Sequence, residues 1–156
     1  EIAVQLGDRL VMGESARALA KTHMLKGDVA KARKYATKAL EQFELLKSKV
    51  HLGIALRTWG EVTAAGGWGE EELSNASEHF TRSIAIFETI GNELELARSC
   101  RTYADLLSQA GRIDESELLK GRADGIFEKL RQSSQITTEA DLLTSSQPPR
   151  PPASER

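Results

Sequence analysis

Several familiar classes of protein are excluded by what this chain lacks. A single cysteine, Cys100, permits no internal disulfide, and with no signal-like segment present it points to a reducing, cytoplasmic setting. No apolar run approaches the ~20 residues that a membrane-spanning helix needs, so no membrane partner is expected. Aromatic residues make up only 5% of the 156, and Ala, Leu, Glu, Lys and Arg outnumber the β-branched types, so strands are not expected. Proline is absent before position 148, and nothing of that kind interrupts a helix earlier. A net charge of -2 and a pI near 6.0 lack the basic excess of a nucleic-acid binder.

What is present is a pattern written three times. Ser15-Ala16-Arg17-Ala18-Leu19-Ala20 returns forty residues later as Ala55-Leu56-Arg57-Thr58-Trp59-Gly60, and forty-four beyond that as Ser99-Cys100-Arg101-Thr102-Tyr103-Ala104. Each copy opens on a small residue, holds Arg in third place and a large residue in fifth, and closes on Gly or Ala. A recurrence of this length sets the fold before any single residue does.

Taken in order, residues 1–5 read as the last turn of an earlier helix, closed by Gly7, with Gly91 serving the same purpose two copies later. Since the chain starts at Glu1 and not at Met, it reads as a piece of a longer protein. A helix over about 9–26 should bury Val11, Ala16, Leu19, Ala20 and His23. Gly27-Asp28 should end that helix and cap the next, over about 29–48. The second pair covers about 51–65 and 73–89, and its longer connection, Gly66-Gly67-Trp68-Gly69-Glu70, stretches the period from forty to forty-four. The third pair covers about 94–110 and 114–131. There Lys120 and Asp124 stand where the second copy has Phe80 and Ile84, as suits a terminal helix with no neighbour to cover it. A flexible Ser/Pro-rich tail is expected from 133 to 156, with at most a short turn over 139–143. Its Pro-Pro-Arg-Pro-Pro run reads as a solvated end before it reads as a polyproline ligand.

The matching residues are Ala16, Leu19, Ala20, His23, Gly27, Ala32, Ala36 and Ala39 in the first copy. In the second they are Leu56, Trp59, Gly60, Thr63, Gly67, Ala76, Phe80 and Ser83, and in the third Cys100, Tyr103, Ala104, Leu107, Gly111, Ser116, Lys120 and Ala123. This pattern resembles the tetratricopeptide repeat. It departs from that family in its long period, against the usual thirty-four, and in lacking the proline that commonly closes each repeat. The longer style is similar to helical-repeat modules of large bacterial signalling proteins, including maltose-type activators and the tails of some kinases and cyclases. The resemblance implies an all-α fold of three stacked antiparallel helical hairpins in a right-handed solenoid. It would occupy residues 1–132, with repeats at about 9–48, 49–90 and 92–131.

Nothing in the sequence makes an active site. Cys100 falls on a core position, the three histidines sit at unrelated phases of the repeat, and the Gly66–Gly69 stretch lacks the Lys and Ser/Thr of a phosphate cradle. No cofactor is expected. The resemblance places the first helix of each repeat on a concave face, where Arg17, Arg57 and Arg101 would form a row. Lys21, Glu61 and Asp105 would follow one turn on, with Arg98 nearby. One reading makes the row a grip for the carboxylates of an acidic peptide. The other, slightly favoured, makes it a solvated face of i,i+4 pairs, Arg57 with Glu61 and Arg101 with Asp105, each worth about 0.3–0.5 kcal/mol. The Asn of a chaperone-type carboxylate clamp is missing at the aligned places. Trp68 is either tucked over its own helix pair, the preferred reading, or offered to a partner as an anchor. The function expected is a non-enzymatic scaffold for a protein or peptide partner. The alternative is a sensory module that binds a small ligand or signalling peptide and gates an attached domain. An uncovered helical end would also allow a homodimer.

Overall fold

The computed structural model describes residues 2–67 and 69–145, with side chains described over 5–67 and 69–134. Trp68 and the proline run lie outside the described residues. Six helices follow one another: α1 Ile2–Leu25, α2 Val29–Leu46, α3 Lys49–Ala64, α4 Glu70–Ile90, α5 Glu93–Gln109 and α6 Ile113–Ser145. There is no strand among the described residues.

The sequence places most of the boundaries by local chemistry. Gly27 turns left-handed at φ +77, and the Asp28 carboxylate then accepts the Lys31 N–H at 3.1 Å to cap α2. Gly91 repeats the turn at φ +68, and Asn92 caps α5 by accepting the Glu95 N–H at 3.1 Å. Two expected boundaries do not occur. Gly7 does not end a helix, because α1 runs unbroken from Ile2. A glycine permits the left-handed turn without enforcing it, and its penalty of about 1 kcal/mol inside a helix is small beside the backbone bonds on either side. At the other end, α6 passes Arg131 and continues to Ser145. No Gly or Pro stands between Gly125 and Pro148 to stop it.

Within α1/α2, α3/α4 and α5/α6, contacts join the start of one helix to the end of the other. Gly13 meets Phe43 while Ala20 packs with Ala32 and Ala36; Gly53 meets Phe87 while Gly60 meets Phe80. In the last pair the Ser116 hydroxyl donates to the Ala104 carbonyl at 2.7 Å, and Lys129 reaches Glu93 at 2.7 Å. Packing is closest within α1/α2, α3/α4 and α5/α6. It continues from α2 to α3 and from α4 to α5, and α1 touches α3 as α3 touches α5. Three fully buried phenylalanines, Phe43, Phe80 and Phe87, carry the core by packing against Gly13, Gly60 and Gly53. A Cβ added at those glycines would come within 2.5–2.6 Å of a ring carbon, so the close approach requires glycine.

The expected buried stripe of α1 is half right. Ala16 and Ala20 are buried, but Val11 is 65% and Leu19 40% exposed. They point away from α2 and α3, the two helices that contact α1. Lys120 and Asp124 are exposed on α6, as their polarity requires.

Candidate interaction surface

The three arginines of the repeated phrase share a register but not a role. Arg57 reaches from α3 across to α5, where its guanidinium donates to a Glu95 carboxylate oxygen at 2.8 Å, the Glu95 carbonyl at 3.3 Å and the Ser99 hydroxyl at 3.1 Å. Both side chains are nearly enclosed, 14% exposed for Arg57 and 11% for Glu95. Arg98 holds the second Glu95 oxygen at 2.5 Å. Ser99 bonds Ser83 at 2.9 Å, and Ser83 donates to the Gly53 carbonyl at 2.7 Å, so one polar chain ties α3, α4 and α5 together. Burial by itself would raise the Glu95 carboxyl. Hydrogen bonds from Arg57 and Arg98 outweigh it and hold the group below its ordinary range.

Arg17 has no such partner ahead of it. The places on α3 that correspond to Glu95 and Ser99 are His51 and Ala55, so Arg17 turns back to Glu14 on its own helix at 2.6 Å. Arg101 turns to Asp124 on α6. The expected pairs Arg57–Glu61 and Arg101–Asp105 therefore do not form, because cross-helix acceptors lie within reach of both arginines. Each of the three arginines is paired with a carboxylate of its own chain; Arg57 is nearly enclosed, while Arg17 and Arg101 stay 26% and 38% exposed.

The second expected row is brought together. Lys21 on α1 lies 3.3 Å from Glu61 on α3, and Glu61 and Asp105 line one groove across the ends of α1, α3 and α5. That groove, of about 340 Å³, has Met24, Ala64, Ala65 and Leu106 for an apolar floor and Thr102 and Gln109 at its side. Asp105 is exposed and has no ion-pair partner among the described residues.

Glu95, Ser83 and Ser99 carry the interior polar chain, and none was marked by residue type as functional. Their signal in the sequence is a carboxylate and two small hydroxyls at repeat positions that hold His51, Ala39 and Ala55 in the preceding copy, which a pattern of apolar spacing does not register. Burial pushes the Cys100 thiol up, away from the reactive thiolate. Burial also lowers His79, which packs against Trp59 at 5.6 Å between ring centres. No cluster of three His, Cys, Asp or Glu among the described residues could hold a metal ion. None of the described helices is long and apolar enough to cross a membrane.

Compared with models of known families, with curated proteins and with solved structures, the chain matches none.

Proposed function

We propose that this chain is a tetratricopeptide-like scaffold without catalytic activity, a cytosolic signalling module whose three stacked helical hairpins form a right-handed solenoid and offer their inner wall to a peptide or partner domain. The observation that supports it most is the asymmetry of the helix contacts. Among the described residues the backbones of the odd helices approach one another in sequence, α1 to α3 and α3 to α5, whereas those of α2 and α4 do not, and α4 meets α6 through side chains alone, as in the Arg122–Glu88 ion pair. Closer spacing on one side than on the other curves a stack towards that side. The groove at Glu61 and Asp105 lies on it.

The groove's charge reverses the preference expected for the partner. Lys21 is matched by Glu61, the arginines are engaged elsewhere, and Asp105 is left over. An amphipathic segment that carries Lys or Arg beside an apolar residue fits, with the cation on Asp105 and the apolar side chain over Met24 and Leu106. Fluorescence anisotropy with a labelled Lys/Leu peptide and a Glu/Leu peptide of equal length tests this. The basic peptide should bind, and Asp105→Lys should weaken it about tenfold with the helical circular-dichroism signal unchanged. Equal binding of the acidic peptide, or indifference to Asp105→Lys, would sink the reading.

A further inference from the structure

The outer face of α1 carries a seam that none of the described residues covers. Asp8, Met12, Ser15, Leu19, Thr22 and Lys26 follow one another at steps of four, three, four, three and four residues, and at 100° per residue they fall within one 80° arc. Val11, Ala18 and Leu25 flank them at steps of seven. All nine are exposed, Met12 by 56% and Leu25 by 83%. The buried residues Gly13, Ala16 and Ala20 lie about 80–140° round the helix from the seam's centre, against α2 and α3. A four-three alternation is the spacing at which one helix packs along another.

We propose that the occupant of this seam is a second copy of the chain, with α1 lying antiparallel on its counterpart about a two-fold axis at residue 17. The seam is self-complementary in that register and in no parallel one. Ser15 of each copy faces Leu19 of the other, so a small side chain receives a large one at both central contacts. Met12 faces Thr22. At the two ends Asp8 faces Lys26, one charge of each sign, and neither has an ion-pair partner within its own chain among the described residues. In a parallel pairing each charge would meet its own kind. The contact runs about 27 Å along the helix, the 18-residue reach from Asp8 to Lys26 at 1.5 Å per residue.

Sedimentation velocity of the 156-residue chain over a concentration series gives the test. The 17.1 kDa species should give way to one of twice that mass as concentration rises. Asp8→Lys sets lysine against lysine at both ends and should weaken the dimer on the order of tenfold, and Lys26→Asp should do the same. The double variant, Asp8→Lys with Lys26→Asp, should restore it. Leu19→Glu should leave only monomer with the helical signal intact, since the side chain it replaces faces solvent in the single chain. A single 17.1 kDa species at every concentration overturns the proposal. A dimer that ignores the single reversals, or a double variant that stays weak, overturns the antiparallel register.

Discussion

Arg57 shows how one residue type at one repeat position acquires different work in each copy. Its position was legible from the recurring phrase; its partners were not, because they depend on what the next repeat carries at the facing positions. Where α5 offers Glu95 and Ser99 the guanidinium is drawn inward, and where α3 offers His51 and Ala55 Arg17 stays on its own helix. Glu95→Gln should lower the unfolding free energy by about 3 kcal/mol, because it leaves the Arg57 charge enclosed without a carboxylate, and Arg57→Met should cost less, because Arg98 still holds Glu95. Together they should cost at least about 1 kcal/mol less than the sum, as urea denaturation of the four proteins would measure. The pH dependence has a definite sign. Glu95 is held below its ordinary value in the folded chain, so the unfolded chain takes up the proton first on acidification. Its contribution is complete above about pH 4.3, the unfolded value, and is lost as pH falls through the lower folded value. The urea midpoint of the parent should drop through that window, and that of Glu95→Gln should drop less. His79, also lowered, begins a shallower decline below about pH 6.5 by the same linkage.

For the helices themselves, glycine means opposite things according to what faces it. Gly60 lies under the fully buried Phe80 ring, which an added Cβ would meet at 2.6 Å, whereas nothing stands within 4 Å of such a Cβ at Gly7. Gly60→Ala should therefore destabilise by about 1–3 kcal/mol despite alanine's better helix propensity. Gly7→Ala should stabilise by up to about 1 kcal/mol, since that residue is helical and unobstructed. Thermal melts of the two variants should move in opposite directions. The cap at Asp28 and the turns at Gly27 and Gly91 could be read directly, being decided by residues adjacent in the chain. The run of α1 through Gly7 and of α6 to Ser145 could not be read so, because a residue that tolerates a break does not cause one.

In the whole molecule two surfaces on opposite sides of α1 have separate duties under the proposals above, the inner groove for a basic segment and the outer seam for a second copy. They should be independent. Asp105→Lys should leave sedimentation unchanged while abolishing most peptide binding, and Asp8→Lys should do the reverse. If either substitution moves both measurements by more than about threefold, the two faces are coupled through α1 and cannot be assigned separately.

The sequence by itself determined that the described chain is helical, roughly where each helix begins, and which small residues lie in the core, because capping, propensity and apolar spacing act over a few neighbouring positions. It also put Lys21, Glu61 and Asp105 in one row, since a repeat fixes equivalent places. Only the tertiary structure decided which charges were left over. Ion pairs form with whatever carboxylate the packing brings within reach, and the packing of α3 on α5 brought Glu95 to Arg57 and left Asp105 to the solvent.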